Sequence, residues 1–222
     1  MAIPDLAAHR RVLRRMVSPV LQALTEHRLL AIVRGHDEDA TVATAHTLIS
    51  SGVRLLEVSL SGHRALAAIA RISSHAGLDT WVGAGTVLSV QQARAAHQAG
   101  ARFLVTPGLS PAVAEANRLR LGLVAGAMTP TEIIAAAQQA DAVKLFPASL
   151  GGPPYLAALR APFPDVPFVP VGGIDAEAAK AYLTAGATAV GIGSPLIGDA
   201  ADGGDQHALA GRVATFLEAV TA

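Results

Sequence analysis

A lysine interrupts one of the most apolar stretches of the chain. In the segment 141–152, DAVKLFPASLGG, apolar residues precede and follow Lys144, and a proline and two glycines then end the run. A lysine amine is nucleophilic only when it is neutral, and its ordinary pKa is about 10.4. Apolar surroundings disfavour the ammonium form, so that a buried amine can attack a carbonyl carbon and form a Schiff base. The sequence therefore predicts that Lys144 is a Schiff-base nucleophile.

Glu57 is the acidic residue whose position best complements such a lysine. Alternate side chains of a strand face opposite sides, so Leu56 and Val58 would share one face of the run 53–60 and Glu57 the other. The same alternation places Lys144 on the inward face of its own run. A carboxylate beside an iminium can carry the protons that Schiff-base chemistry requires. The alternative is a buried salt bridge without chemistry, since buried charges are costly unless they are paired.

Eight apolar runs recur along the chain, with alanine-rich amphipathic segments between them. They lie at 29–34, 53–60, 80–85, 102–107, 121–127, 141–146, 167–173 and 188–193. Strands that alternate with helices indicate parallel β-α-β units. Eight such units in 222 residues are typical of a (β/α)8 TIM barrel. We therefore predict this α/β fold as a single domain over 1–222, with a doubly wound open sheet as the alternative.

The first 28 residues precede the first predicted strand. We predict that 1–28 form an N-terminal helical extension, because Ser18 followed by Pro19 is typical of a helix start. The same pair interrupts the apolar stretch that a signal peptide would need after its arginines. Met16 is a possible start of translation besides Met1, since nothing before it is needed for a core.

Composition excludes several classes of protein. Seventeen basic residues balance seventeen acidic ones, whereas nucleic-acid binding favours a basic excess. The apolar runs are shorter than the roughly 18 residues of a membrane span, and the chain has no cysteine. The eight histidines show no metal-ligand spacing; His36 and His63 could line the barrel mouth but are expected to be solvated loop residues. We predict a cytoplasmic enzyme with no metal and no nucleic-acid or membrane partner.

Several residues at predicted strand ends could bind anions. Thr86 follows the small residues of the third strand and could donate to a carboxylate, and Arg34 ends the first strand as a cationic partner or as a surface arginine. Glycines follow the seventh and eighth strands, where such barrels often bind phosphate through backbone N–H groups. The candidates there, with ordinary turn glycines as the alternative, are Gly172, Gly173, Gly193 and Ser194.

Five motifs carry a family resemblance. LLEVSL, VGAGTVL, VTPGLSP, VKLFPAS and VPVGGI occur in this order. From about residue 29 to residue 216 the chain resembles the class I 2-keto-3-deoxy-6-phosphogluconate and 4-hydroxy-2-oxoglutarate aldolases. It is also similar to their phosphogalactonate-cleaving relatives.

The resemblance implies a reaction and a set of roles. Lys144 would be the Schiff-base lysine and Glu57 the acid/base; Thr86 would hold the pyruvate carboxylate, while Pro107 and Phe146 would shape the pocket around the imine. The phosphate would be bound by Gly173, Gly193 and Ser194. The products would be pyruvate and glyceraldehyde 3-phosphate, as in the Entner–Doudoroff route, and no cofactor would be needed. Cleavage of 4-hydroxy-2-oxoglutarate is a further expectation, and the enzyme would be a homotrimer.

One position departs from the phosphogluconate-type pattern. Those members carry an arginine four residues after the glutamate, where this chain has Ser61. Arg34, in AIVRG, resembles the strand-one arginine of phosphogalactonate-type members. Both sugar acids therefore stay open as substrates. The alternatives are another phosphate-binding barrel enzyme, such as an epimerase or a synthase, and a non-catalytic sugar-phosphate-binding relative.

Overall fold

The structure is a computed structural model that describes residues 18–221. Its eight strands are all parallel and follow one another around a ring in sequence order. They are β1 Leu29–Val33, β2 Leu55–Ser59, β3 Trp81–Gly85, β4 Phe103–Thr106, β5 Gly122–Ala127, β6 Ala142–Leu145, β7 Phe168–Pro170 and β8 Val190–Ile192. Strand β1 pairs with both β2 and β8, and a bridge between Val171 and Gly191 joins the last two strands. The (β/α)8 barrel is confirmed, and the open-sheet alternative is wrong because the ring closes.

Helices connect the successive strands, while a further helix precedes β1 and others follow β8. They are α1 Pro19–His27, α2 Glu38–Ser50, α3 Ala65–His75, α4 Val90–Gln98, α5 Pro111–Arg118, α6 Pro130–Ala137, α7 Gly152–Arg160, α8 Ala176–Thr184, α9 Ser194–Ile197 and α10 Gln206–Thr221, with short 3-10 turns at Ala148–Leu150 and Ala200–Asp202. Side-chain caps fix the first turns of several of these helices. Ser89 and Thr129, for example, form capping boxes at the starts of α4 and α6.

Two apolar cores hold the barrel together. The larger lies between strands and helices, and the smaller fills the barrel interior with residues such as Leu55, Phe103 and Val169. Val20 and Leu24 of α1 belong to the inner core, so this helix closes the N-terminal end of the barrel. Each such fully buried side chain contributes about 1.5–3 kcal/mol to folding. The closed, apolar end leaves the opposite end of the barrel for polar chemistry.

The predicted N-terminal extension falls mostly outside the described residues. Within them, Ser18 caps α1 as expected, its hydroxyl accepting from the backbone N–H of Leu21 at 3.4 Å, with Pro19 at the first helical position. The single domain over 1–222 stays a prediction, because residues 1–17 and 222 are not described. In the described part, 18–221, no helix is long and apolar enough to span a bilayer.

The strands are shorter than predicted, both at their N-terminal ends and where they reach the barrel mouth. Arg34, Pro107 and Phe146 lie just beyond the ends of β1, β4 and β6, and the glycine pair 172–173 lies beyond β7. A proline cannot donate to the ladder, and both glycines of the pair have a positive φ, which ends an extended strand. These residues therefore lie on loops at the carboxyl ends of the strands, where barrel active sites are found.

Candidate active site

Two buried ionisable side chains face the inside of the barrel at its open end. Glu57 on β2 is 1% exposed and Lys144 on β6 is 6% exposed. The neighbours of Lys144 on the strand, Val143 and Leu145, pack instead into the outer core. The amine Nζ lies 5.1 Å from the centroid of the Phe146 ring. The structure thus places both residues as strand alternation predicts, with an aromatic ring beside the amine.

The electrostatics of Glu57 are dominated by its burial. Burial raises the pKa of this carboxyl group above its ordinary value, while the positive charges of Lys144 and, less strongly, Arg34 oppose the rise. The atom Oε2 is buried and has no hydrogen-bond partner among residues 18–221. Within the same residues no direct ion pair joins the carboxylate to Lys144. A simple buried salt bridge is therefore not what the structure contains.

Glycines on two neighbouring strands make room for Glu57 and for the backbone of Pro107. A β-carbon at Gly85 of β3 would lie 2.5 Å from Oε1 of Glu57. On β5, Gly126 is in register with Lys144, and a β-carbon there would overlap the carbonyl group of Pro107. The small residues of the third strand are evident from the sequence, but the groups that lie against them are not. The Pro107 backbone thus lies against β5, the strand that pairs with the lysine strand β6.

Thr86 lies at the end of a chain of three hydroxyl groups. Its Oγ1 is 2.9 Å from Oγ of Ser59, which is in turn 2.8 Å from Oγ of Ser61. Thr86 has a φ of 57°, an outlier for a β-branched residue. Such conformations cost about 1–3 kcal/mol and cluster at functional sites. Ser59 lies two residues after Glu57 on β2 and so shares its face, but sequence reasoning assigned it no role.

Arg34 is exposed at the rim of the same end of the barrel. It continues the inward-facing series of Leu30 and Ile32 on β1, two residues beyond the latter, and its charge acts on Glu57. Among the described residues its guanidinium group has no ion-pair partner. A cation at the rim without a protein partner is available to an anionic ligand.

The backbone next to Arg34 is fixed from two sides. Asp202 accepts a hydrogen bond of 2.6 Å from the backbone N–H of His36, which is the main reason that the pKa of Asp202 lies below its ordinary value. On the other side, the backbone N–H of His63 donates to the carbonyl oxygen of Gly35 at 3.0 Å. The side chains of His36 and His63 are both exposed, as expected for loop histidines. These contacts hold the loop that presents Arg34.

The glycine segments after β7 and β8 lie side by side. The bridge between Val171 and Gly191 brings the two strand ends together, and therefore also the predicted phosphate residues Gly172, Gly173, Gly193 and Ser194. The φ angles of 107° at Gly172 and 70° at Gly173 are left-handed conformations that favour glycine. Sequence reasoning missed Ser149, whose Cβ would be 3.0 Å from a β-carbon at Gly173. Ser149 therefore borders the same segment.

Potential metal ligands do not converge in the described part of the chain. No group of three or more histidine, aspartate or glutamate side chains among residues 18–221 is arranged to hold a metal ion. The groups that do lie together are a buried amine and a buried carboxyl group. Around them, the rim of the barrel carries hydroxyl groups, an arginine and the backbone of several glycines. This set can perform imine chemistry on a substrate with two anionic ends.

A family model described as KDPG and KHG aldolase matches residues 20–209. The chain belongs to that family. It is 38% identical to a 2-dehydro-3-deoxy-phosphogluconate aldolase of Treponema pallidum, over 74% of this chain and 79% of the relative. It is 33% identical to a 2-dehydro-3-deoxy-6-phosphogalactonate aldolase of Escherichia coli K12, over 79% of this chain and 87% of the relative. The predicted resemblance is thus confirmed.

Solved structures of aldolases have the same fold. One described as native KDPGal has a TM-score of 0.81 and 31% identity, and covers 86% of this chain and 93% of its own. A KDPG aldolase from Legionella pneumophila, in which pyruvate is captured as a covalent carbinolamine, has a TM-score of 0.79 and 25% identity, over 89% of this chain and 96% of its own. The prediction of an aldolase, and hence a carbon–carbon lyase, is confirmed.

Proposed function

We propose that this protein is a class I aldolase that cleaves a 2-keto-3-deoxy-6-phospho sugar acid to pyruvate and glyceraldehyde 3-phosphate. The observation that carries the proposal is the pair of inward-facing residues Lys144 and Glu57. Of the charged side chains buried in the described residues, these two are the ones that lie on strands. We also propose that 4-hydroxy-2-oxoglutarate is accepted, because a solved relative is described as an aldolase for both substrates.

The chemistry begins with the amine of Lys144. Its lone pair attacks the keto carbon, C2, and the carbinolamine loses water to give an iminium ion. The C3–C4 bond then breaks as the C4 hydroxyl group loses its proton to Glu57, and the bond electrons move into the iminium to form an enamine. Glyceraldehyde 3-phosphate leaves, the enamine takes a proton at C3, and water releases pyruvate from Lys144.

Burial suits Glu57 to this exchange of protons. Burial raises the pKa of the Glu57 carboxyl group, so that it holds a proton more readily than an exposed glutamate, and a general acid–base catalyst must both accept and return a proton. The partnerless atom Oε2 is available to a substrate hydroxyl group. Glu57 would therefore serve first as base and then as acid.

The two anionic ends of the substrate would bind to different groups at the mouth. Arg34 and Thr86 are proposed to bind the carboxylate, and Pro107 and Phe146 to enclose the imine. The phosphate would lie against the backbone of Gly172, Gly173, Gly193 and Ser194. Two left-handed glycines beside a second glycine segment support this assignment, since backbone N–H groups can approach phosphate oxygens closely there.

Borohydride trapping with pyruvate tests the proposal directly. The chain contains only two lysines, Lys144 and the exposed Lys180 on α8. Reduction in the presence of pyruvate should therefore give one adduct, which peptide mapping assigns to Lys144. Lys180→Arg is the matched control and should be trapped like the wild type. No adduct, or an adduct on Lys180 alone, would refute the mechanism and favour an epimerase, a synthase or a non-catalytic relative.

Substrate choice needs a separate assay. Both sugar-acid phosphates are supplied to the enzyme and pyruvate release is measured for each. Because Ser61 replaces the arginine of phosphogluconate-type members, we expect the phosphogalactonate-type substrate to have the higher kcat/KM. The opposite ranking would assign the protein to the phosphogluconate-type branch.

Assembly and location are further parts of the proposal. The family resemblance supports a homotrimer, which light scattering of the purified protein tests. The absence of cysteine is consistent with a reducing cytoplasm, and a metabolic role in the Entner–Doudoroff route would fit the proposed products. Fractionation of cells that express the protein tests the location.

A further inference from the structure

Ser59 connects the two hydroxyl groups at the rim through a position that solvent does not reach. It lies on the inward face of β2, two residues after Glu57, and is 0% exposed. Its Oγ is within hydrogen-bond distance of both Ser61, at 2.8 Å, and Thr86, at 2.9 Å. Thr86 and Ser61 approach the mouth from different strand ends, so Ser59 is the link between them.

The number of protons determines how this chain can be ordered. Each hydroxyl group has a single proton to donate. If Thr86 donates its proton to an anion, it can only accept from Ser59. Ser59 has then used its own proton, and it can only accept from Ser61. The order is therefore Ser61 to Ser59 to Thr86 to the anion, and successive hydrogen bonds in such a chain strengthen one another.

The backbone at Thr86 makes this link important. A φ of 57° is strained for a β-branched residue and persists only where the surroundings hold it. The register of β2 and β3 pairs Ser59 with Gly85, the residue before Thr86. Ser59 is thus placed to fix both the position and the donor direction of the Thr86 hydroxyl group.

We propose that Ser59 is a positioning residue for the carboxylate of the substrate, which it serves by donating to Thr86 while it accepts from Ser61. The proposal rests on the proposed function, since the anion is the carboxylate of the 2-keto acid. In this chain the hydroxyl relay begins at Ser61, at the position where phosphogluconate-type members carry an arginine. The carboxylate would then be bound both by this neutral chain of hydroxyl donors and by the positive charge of Arg34.

The test separates carboxylate binding from imine formation. Borohydride trapping on Lys144 is measured over a range of concentrations of pyruvate and of acetone, a ketone without the carboxylate. Ser59→Ala should raise the half-saturating concentration of pyruvate by about 3- to 10-fold, the effect of one lost hydrogen bond. The half-saturating concentration of acetone should not change. Ser61→Ala should also raise the half-saturating concentration of pyruvate, by about 2-fold.

Two variants make the result specific. Ser59→Thr keeps the hydroxyl group and should restore pyruvate binding, whereas Ser73→Ala removes a buried, partnerless hydroxyl on α3 and should change nothing. Equal pyruvate curves for Ser59→Ala and the wild type would overturn the proposal, as would a parallel loss with acetone. Ser61 is exposed, so Ser61→Ala tests the chain even if Ser59→Ala does not fold. A wild type without any Lys144 adduct would instead refute the proposed function.

Discussion

Gly85 allows the carboxylate of Glu57 to stand where it does. A β-carbon at this position would lie 2.5 Å from Oε1 and 2.7 Å from Cδ of Glu57. Ordinary contacts between non-bonded carbon atoms are about 3.5–4.0 Å. The substitution Gly85→Ala should therefore displace the carboxylate by about 1 Å, because the end of a glutamate side chain moves more easily than a strand.

A displacement of this size should slow the reaction much more than it weakens the fold. Misplacement of a catalytic group by about 1 Å can reduce the rate about 10²-fold, which corresponds to about 2.7 kcal/mol. The free energy of unfolding should fall by no more than about 1–3 kcal/mol, the usual cost of an added methyl group in a packed interior. We expect kcat to fall about a hundredfold in a protein that remains folded.

Steady-state cleavage with coupled detection of pyruvate measures kcat, and urea denaturation measures stability. Gly108→Ala is the control at the same mouth, since a β-carbon there would meet nothing within 4 Å, and its kcat should match the wild type. If folded Gly85→Ala enzyme keeps a kcat within about threefold of the wild type, the position of the Glu57 carboxylate does not limit the reaction.

Further predictions concern charge, protonation and helix stability. Arg34→Ala should raise KM for the sugar acid about 10- to 100-fold, the value of one charged hydrogen bond. Arg34→Lys should recover little of the lost affinity, because an ammonium group lacks the planar, two-pronged donor geometry of a guanidinium group. An unchanged KM in Arg34→Ala would contradict this role. Adding Ser61→Arg to Arg34→Ala should recover part of the lost affinity, and no recovery would show that Ser61 does not border the carboxylate site. Glu57→Gln should reduce kcat by about 10²–10⁴-fold. Burial raises the pKa of Glu57. The stability that Glu57 contributes is therefore complete below its pKa in the unfolded chain and is lost as the pH rises through its pKa in the folded protein. Urea titrations should show that Glu57→Gln gains stability relative to the wild type with rising pH, and parallel curves would refute this. Gly211→Ala, in open space within α10, should raise stability by about 0.5–1 kcal/mol, and calorimetry should show an increased Tm.

Strand alternation was sufficient to predict the inward and outward faces of β2 and β6. Lys144 and Glu57 are flanked by apolar residues that need the helix layer, so the two polar side chains could only face inward. Alternation predicts which face of a strand a side chain occupies, but it does not predict the register between neighbouring strands. The contact between Ser59 and Thr86 depends on the β2–β3 register, which no local pattern in the sequence specifies.

Close approaches between distant loops were also beyond the sequence. The glycine at position 126 reads as an ordinary small residue of a strand, yet the Pro107 carbonyl group occupies the space where its side chain would be. The clamp of Asp202 on the backbone of His36 joins residues that are 166 positions apart. Such contacts result from closure of the ring, and local propensity carries no information about them.

The apolar core inside the barrel and the polar pair Glu57 and Lys144 lie toward opposite ends of the same strands. Toward the N-terminal end, Leu55 of β2 and Ala142 of β6 pack with α1 in an apolar core. Two residues further along each strand, the same inward face presents Glu57 and Lys144, which are buried without a direct ion pair among residues 18–221. An unpaired buried carboxyl group destabilises a fold, and an apolar residue of similar size would pack there at no such cost. Packing therefore does not explain this pair of residues, whereas the proposed imine chemistry, with Glu57 as its proton carrier, would.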